Sequence, residues 1–82
     1  MPRLLKEAQL LTVTIDASSA AAHKLIRELQ LRTLTGASIV GIERNGQSII
    51  NPGPDEEILS GDRVLLLGTN TQLESGRKTL CG

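Results

Sequence analysis

The sequence predicts a small α+β domain with the element order β-α-β-β-β-α, arranged in two layers around a central β-hairpin. Three stretches lead to this fold. Asn45-Gly46 separates two apolar runs, which is the strongest short-range signal for a hairpin with a two-residue loop. Residues 20–31 carry apolar side chains at helical spacing. Residues 63–67 (RVLLL) form an apolar run that is typical of a central strand.

The first strand and the first helix are predicted from their apolar spacing. Residues 10–16 (LLTVTID) alternate as a strand with one buried face, and Ser18 or Ser19 can cap the helix that follows. Gly36 is suited to a left-handed stop after that helix. The apolar stripe of the helix, residues 20–31, consists of Ala22, Leu25, Ile26 and Leu29.

The loop at Asn45-Gly46 fixes which residues of the hairpin strands lie opposite each other. The predicted pairs are Arg44 with Gln47, Glu43 with Ser48, Ile42 with Ile49, and Gly41 with Ile50. This register places Val40, Ile42 and Ile49 on one face and Ile39 and Ile50 on the other. Both faces are partly apolar, so one is expected to pack on the helices and the other needs a second cover.

The rest of the chain divides into turns, the central strand and a final helix. Residues 52–55 (PGPD) read as a turn, and Gly61-Asp62 forms a second one before the RVLLL strand. Thr71 and Glu74 have the spacing of a capping box, while Gly76 weakens the last helix. The predicted organisation is a lead-in over residues 1–8, one domain over residues 9–75 and a loose tail over residues 76–82.

Composition narrows the classes of function. The 82 residues have a formal net charge of zero and contain no Phe, Tyr or Trp. A nucleic acid polymer is therefore not an expected partner, because neither a basic stripe nor stacking side chains are present. The single cysteine, Cys81, excludes an internal disulfide, and one Cys with one His does not make a metal site. No apolar run is long enough for a membrane span.

The residues that can do acid-base chemistry do not converge on an active site. Asp62 fits a turn residue that bonds its own backbone, and Glu56 and Glu57 are adjacent and solvated. His23 is either a surface residue or a pH-sensitive group. The glycines match no phosphate-binding fingerprint. We therefore expect no catalytic residue and no enzyme activity.

The sequence supports a binding site for a small anion better than it supports a catalytic site. Arg32 lies directly before the hairpin, close in sequence to the small residues Ala37 and Ser38. An arginine beside small residues and backbone N–H groups can hold a phosphate or a carboxylate. The alternative is that Arg32 is a surface cation at the C-terminal end of the helix, where the helix dipole favours it.

Several segments of the chain together form a recognisable combination of motifs. They are Leu31-Arg32, residues 36–42 (GASIVGI), Arg44-x-Gly46, residues 49–52 (IINP), Pro54-Asp55, residues 58–68 (ILSGDRVLLLG) and Leu73. With this combination the chain resembles the TrkA-C domain, which is the C-terminal lobe of RCK (or KTN) regulatory subunits of potassium channels and transporters. The resemblance covers about residues 8–75 and is specific as a combination of motifs.

This resemblance implies a cytosolic module that forms a homodimer and regulates the flux of potassium, or of sodium and protons, through an attached membrane domain. Attachment to a cation/proton antiporter is the favoured context, because no glycine-fingerprinted nucleotide-binding lobe precedes the domain. Some family members bind the effector cyclic di-AMP between the two copies. No cofactor is expected beyond such a small anionic effector. Carried over by position, the pocket residues are Ile26, Arg32, Ala37, Ser38, Pro52 and Pro54.

Within that implied pocket, Arg32 would face a phosphate and Ala37 would lie close to a base. Ser38 departs from the family pattern, since nucleotide-binding members carry Asn there, and a serine hydroxyl replaces only part of that hydrogen bonding. The alternative function is a purely structural dimerisation module without a small ligand. In both functions Ile39 and Ile50 form the dimer interface.

Overall fold

A computed structural model of the chain describes residues 7–81. Its elements, in chain order, are β1 (Gln9–Thr14), α1 (Ile26–Leu29), α2 (Leu31–Thr35), β2 (Ser38–Arg44), β3 (Gln47–Ile50), β4 (Arg63–Gly68) and α3 (Asn70–Cys81). All neighbouring strands are antiparallel, in the order β1-β4-β2-β3. The α+β class is confirmed, and β4 is the predicted central strand. The predicted lead-in lies outside the described residues, except for residues 7 and 8.

The core lies between one face of the sheet and the helices. The alternation predicted for residues 10–16 is confirmed, because Val13 and Ile15 are buried while their neighbours Thr12 and Thr14 are exposed. Apolar side chains of the other strands and of α3 complete this core. Its buried members include Ile42, Val64, Leu66, Leu73 and Leu80.

The hairpin has the predicted register. Gly41 pairs with Ile50, Ile42 with Ile49, Glu43 with Ser48 and Arg44 with Gln47. Asn45 (φ 52°) and Gly46 (φ 78°) both adopt the left-handed conformation that a two-residue type I′ turn requires. The register is correct because turn chemistry is local and needs no information from distant parts of the chain.

A β-bulge in β2 overturns the predicted division of the hairpin faces. Ile39 pairs with Leu66 of β4 and Gly41 pairs with Leu65, so Val40 is an extra residue on β2. The extra residue brings Ile39 onto the helix-covered face, where it packs against the core. The expectation that Ile39 and Ile50 share a face is therefore wrong.

The single helix predicted over residues 20–31 is also wrong. Residues 20–23 are turns, and Leu25 forms an isolated bridge with Glu57. Helix α1 has only four residues and is separated from α2 by Gln30, whose φ of 47° is left-handed. Apolar residues at helical spacing thus belong to two short helices and a turn. The predicted stop at Gly36 is confirmed by its φ of 82° and by its N–H, which donates to the Arg32 carbonyl at 2.9 Å.

Helix α3 differs from the prediction at both of its ends. It is capped by Thr69 and Gln72, which exchange hydrogen bonds of 2.9 and 3.3 Å, rather than by Thr71 and Glu74. It also runs through Gly76 to Cys81, and Leu80 is buried. Residues 76–81 are therefore not a loose tail, because Leu80 anchors them in the core. None of the helices within residues 7–81 is long and apolar enough to cross a membrane.

The sheet face opposite the helices is called the open face here. The strand pairing defines its rows as Leu10–Leu67–Ser38, Thr12–Leu65–Gly41–Ile50 and Thr14–Arg63–Glu43–Ser48. Two rows are mainly apolar and the third is polar. Leu10 and Ile50 are 61% and 73% exposed, so large apolar side chains on this face lie in solvent. An apolar surface of this kind is typical of an interaction face.

Candidate functional site

A hollow of about 330 Å³ lies where α1 and α2 meet the beginning of β2. It has an apolar part, a polar part and two cations. Its lining residues are Ile26, Arg27, Gln30, Leu31, Arg32, Thr33, Ala37, Ser38 and Ile39.

The break between α1 and α2 positions the arginines of the hollow. Gln30 adopts a left-handed conformation and turns the chain between the two helices. As a result Arg27 of α1 and Arg32 of α2 line the same hollow. One uninterrupted helix would have separated them along its axis, because five residues span about 7.5 Å. The turn at Gln30 therefore brings two cationic side chains to one site.

Thr35 holds the start of β2 against α2. Its hydroxyl donates to the Leu31 carbonyl at 2.7 Å and accepts the Ala37 N–H at 3.1 Å. Ala37 has no exposed surface and forms the floor of the hollow. Ser38, the first residue of β2, is half-buried at the margin.

The two arginines differ in their partners. Arg27 Nη1 lies 3.1 Å from Asp55 Oδ1, and both side chains of this ion pair are exposed. The Arg32 side chain is exposed and makes no hydrogen bond or ion pair with any residue in the described part of the chain. The lining contains no carboxylate to neutralise it. The hollow therefore offers an available guanidinium to an anion, beside apolar surface from Ile26 and Leu31.

The structure brings four of the six predicted ligand-binding residues together and leaves two aside. Ile26, Arg32, Ala37 and Ser38 line the hollow, whereas Pro52 and Pro54 do not. Pro54 is nevertheless close to it, since its carbonyl accepts the Arg27 N–H at 2.9 Å. A ligand contact at each of the six residues stays a prediction.

The two residues predicted for a dimer interface are on different faces of the sheet. Ile50 lies on the open face, and Ile39 packs against the core and lines the hollow. Their contact with a second copy stays a prediction, but they cannot form one continuous patch on a single face. Ser38 takes part in both surfaces, because it ends the first row of the open face and lines the hollow. A smaller hollow of about 190 Å³ lies around Gly41 and Leu65 on the open face.

The remaining polar candidates have structural partners. Asp62 bonds the Leu59 N–H at 2.9 Å, as a turn residue should, and also receives two hydrogen bonds from Arg44. His23 Nδ1 lies 3.4 Å from Glu57 Oε2 on the surface. Within residues 7–81, no group of three or more His, Cys, Asp or Glu residues is arranged to hold a metal ion.

Sequence reasoning missed part of the lining. Arg27, Gln30 and Thr33 line the hollow but are not among the residues predicted for a ligand site. Gln30 gives no local signal for a left-handed residue, because this conformation favours Gly, Asn or Asp. The only hint in the sequence is that leucines recur at helical spacing on each side of Gln30. This pattern fits two short helices as well as one long helix.

The chain is similar in sequence to a known domain family and to several longer proteins. The profile of the TrkA-C domain matches residues 10–80. "Probable potassium channel protein 2" of Methanocaldococcus jannaschii is 32% identical over 84% of this chain and 20% of its own length. "Potassium channel protein 1" of the same organism is 33% identical over 73% of this chain and 18% of its own. The "uncharacterized transporter YfbS" of Escherichia coli is 34% identical over 68% of this chain and 9% of its own. The chain thus spans a fifth or less of these relatives.

Solved structures share the fold. An RCK_C domain dimer of S. agalactiae BusR in complex with c-di-AMP has a TM-score of 0.78 and 30% identity, over 85% of this chain and 92% of its own. The RCK C domain of the potassium transport protein KtrA, also in complex with c-di-AMP, has a TM-score of 0.81 and 25% identity, over 94% and 88%.

Another neighbour concerns the prediction about nucleic acid. S. agalactiae BusR in complex with its busA-promotor DNA has a TM-score of 0.80 and 29% identity, and the match covers 89% of this chain and 37% of BusR. A protein with a domain of this fold therefore does occur in complex with DNA. The expectation that a nucleic acid polymer is not a partner depends only on the charge and composition of the present chain, and it is not confirmed.

Proposed function

Because the chain belongs to the TrkA-C domain family, we propose that it is a regulatory domain, rather than an enzyme, of a protein that transports monovalent cations. Two copies pair at the cytoplasmic side of the membrane and bind cyclic di-AMP between them. The transported ion is potassium, or sodium exchanged for protons where the host is an antiporter. Potassium is supported by two relatives that are named as potassium channel proteins, one of them as a probable one.

The single observation that supports cyclic di-AMP as the ligand is the available guanidinium of Arg32 in a hollow that also has apolar walls. Cyclic di-AMP presents two phosphodiesters and two purines, so its site needs cations together with flat apolar surface. Arg32 and Arg27 supply the cations, and Ile26 and Leu31 supply the apolar surface. Guanidinium groups suit phosphates because their N–H donors form a planar fork. Two neighbours of the same fold are complexes with this nucleotide.

Pairing of two copies is supported by the open face. Leu10, Leu67 and Ile50 expose apolar surface on it, and a second copy would remove this surface from water. Ser38 belongs to both the open face and the hollow, so a copy that covers the apolar rows would border the hollow. A ligand with two equivalent halves also suits a two-fold symmetric cleft.

In this proposal the nucleotide contacts Ile26, Arg32 and Ser38 in the hollow and lies over Ala37, with Pro52 and Pro54 at its approach. Ala37 is a floor residue without exposed surface, so its role is to leave space rather than to present a contact group. The ligand acts on the transporter only to the extent that it binds the two transporter states with different affinities.

Isothermal titration calorimetry of the purified domain with cyclic di-AMP tests the proposal. We expect saturable heat with one nucleotide for two chains. The KtrA RCK C domain, which forms a complex with this nucleotide, is the positive control. Absence of heat at concentrations that saturate the control contradicts the ligand, and saturation at one nucleotide for one chain contradicts the shared cleft.

The variant Arg32→Ala tests the residue that carries the proposal. Loss of a charge-assisted hydrogen bond to phosphate should weaken binding by about 1.5–3 kcal/mol. Arg77→Ala is the matched control, because Arg77 lies on α3 and is occupied by Glu74, with Nη2 at 2.6 Å from Oε1. Equal affinities of Arg32→Ala and the wild-type domain would remove Arg32 from the site.

The second candidate is a structural dimerisation module without a small ligand, and the exposed apolar rows of the open face favour it. One experimental result distinguishes this candidate from the first. The domain would form a dimer in sedimentation experiments and yet give no heat with cyclic di-AMP. A monomer at all concentrations would contradict both candidates.

A further inference from the structure

Arg44 forms an ion pair with the buried Asp62, and the proposed ligand site does not use this pair directly. Arg44 Nε lies 2.8 Å from Asp62 Oδ1, and Nη2 lies 2.7 Å from Oδ2, so the contact has two parallel hydrogen bonds. The Asp62 side chain is 1% exposed and that of Arg44 is 23% exposed. A bidentate pair of this kind restrains orientation as well as distance.

The same pair holds the loop between β3 and β4. Arg44 Nη2 also donates to the Glu57 carbonyl at 2.8 Å, and Arg44 Nη1 lies 3.4 Å from Glu56 Oε2. On the other side of the pair, Asp62 Oδ2 accepts the Leu59 N–H at 2.9 Å. Both partners therefore contact residues 56–59, and the backbone of this loop is attached to the end of β2.

The loop in turn holds helix α1. The first two N–H groups of α1 donate to loop carbonyls: Ile26 to Glu56 at 2.9 Å, and Arg27 to Pro54 at 2.9 Å. Immediately before the helix, Ile58 donates to the Lys24 carbonyl at 2.8 Å. A helix of four residues has no stability of its own, so its position depends on these contacts.

Ile26 and Arg27, whose N–H groups are held by the loop, are the two α1 residues that face the beginning of β2 across the hollow. A continuous series of contacts thus runs from Arg44 through the loop to α1. We propose that Arg44 is a positioning residue for the hollow: together with Asp62 it fixes the loop at residues 56–59, which places Ile26 and Arg27 where a ligand meets them. The role of this position in binding rests on the proposed function, whereas the attachment of α1 does not.

The variant Arg44→Lys tests this role with the positive charge kept. A lysine ammonium lacks the planar fork, so it cannot bond both Asp62 oxygens and the Glu57 carbonyl in the same arrangement. We expect about a tenfold loss of affinity for cyclic di-AMP. In the free protein we expect amide exchange at residues 25–28 and 56–59 to rise about tenfold or more, while exchange in β1 and the middle of β4 stays the same.

Arg77→Lys is the matched control, because Arg77 also makes a bidentate contact with a carboxylate, at 3.1 and 2.6 Å, but on the surface of α3. It should change neither affinity nor exchange in the α1 region. Val13→Ala controls for loss of stability alone, since Val13 is a buried residue of β1. It should lower the melting temperature and leave affinity unchanged at temperatures where the protein is folded.

The outcomes separate this role from the proposed function. If the wild-type domain does not bind cyclic di-AMP, exchange in the free protein still tests the attachment of α1, and unchanged exchange at residues 25–28 in Arg44→Lys overturns it. If the nucleotide binds, equal affinity of Arg44→Lys and wild type overturns the positioning role. Should Arg44→Lys fail to fold, Asp62→Asn supplies the same two measurements, because it removes the carboxylate and keeps the size of the side chain.

Discussion

At the residue scale, Asp62 keeps its charge in a buried position because its surroundings offset the cost of burial. Burial is the largest single effect on this carboxyl and by itself would raise its pKa. The hydrogen bonds from Arg44 and from the Leu59 N–H, together with the charge of Arg44, outweigh it, so that the pKa of Asp62 is lowered from its ordinary value of 3.8. The hydrogen bond to Asp62 likewise raises the pKa of Arg44.

This lowered pKa makes part of the stability depend on pH. Because the folded chain binds the Asp62 proton more weakly than the unfolded chain does, the carboxylate stabilises the fold fully above the unfolded pKa of 3.8. The contribution is lost as the pH falls below this value and through the folded pKa. Asp62→Asn should therefore cost about 2–3 kcal/mol of unfolding free energy at pH 7, and the gap to wild type should shrink below pH 4.

Urea denaturation of both proteins between pH 7 and pH 2.5 measures this gap. Glu43→Gln is the control, because the Glu43 carboxylate lies 3.5 Å from Arg63 in an exposed ion pair, and such pairs contribute little. A gap between Asp62→Asn and wild type that stays constant over the whole pH range would contradict the assignment of the pH dependence to Asp62.

The turn role of Asp62 could be predicted from the sequence, and its partner could not. A Gly-Asp pair between two apolar segments is a local signal, and the bond to the Leu59 N–H follows from it. Arg44 lies at the end of another strand, so its contact with Asp62 depends on how β2 and β4 pair. Information of this kind is present only in the assembled sheet.

At the element scale, the close approach of α3 to the sheet explains why a helix-weakening residue occupies its middle. A Cβ atom placed on Gly76 would lie 3.1 Å from Leu66 Cδ1 and 3.2 Å from Ala37 Cβ. Both distances are tighter than ordinary contacts, and Ala37 is fixed by its own backbone. Helix propensity alone suggested that α3 ends near Gly76, whereas packing against Leu66 and the anchor at Leu80 extends it to Cys81.

Replacement of Gly76 by a larger residue should therefore separate the helix from the sheet. We expect Gly76→Val to lower the free energy of unfolding by about 2 kcal/mol through overpacking. Ser75→Val is the matched control, because Ser75 is exposed on the same helix and reports the effect of a β-branched residue on helix propensity alone. Chemical denaturation compares the two, and equal losses would show that the contact with Leu66 and Ala37 has no effect.

The elements also show which signals in the sequence are sufficient to predict local structure. The hairpin was predicted with its register because Asn45-Gly46 specifies a turn within two residues. The bulge at Val40 and the left-handed Gln30 carry no such mark, since β-branched and long side chains usually avoid these roles. The four predicted residues that line the hollow follow from the family resemblance, whereas the hairpin pattern, which gives no sign of the bulge, places Ile39 on the wrong face.

At the scale of the whole molecule, the sheet is covered on one side only. The helices bury the face that contains Val64 and Leu66, and the described residues provide no cover for the apolar rows of the open face. A core without aromatic side chains has little stability to spare, so burial of these rows against a second copy would contribute substantially.

The variant Ile50→Asp tests this use of the open face. An unpaired carboxylate in an apolar interface is costly, so the variant should be a folded monomer while wild type is a dimer in analytical ultracentrifugation. The melting temperature of wild type should rise with protein concentration, and that of Ile50→Asp should not. Gln47→Asp is the matched control on the same strand, because residue 47 points to the other face, and it should remain a dimer. A dimeric Ile50→Asp would show that copies pair through another surface.

The position of Ser38 on both the hollow and the open face has a consequence for the sensitivity of the domain. If copies pair along the open face, the ligand and the partner copy meet at this residue, so their binding free energies are linked. The factor by which the nucleotide raises the affinity of the two copies for each other equals the factor by which pairing raises their affinity for the nucleotide. Two copies held side by side by a common membrane protein have an effective concentration on the order of millimolar. The tethered domain should then respond to lower nucleotide concentrations than the isolated domain at micromolar dilution.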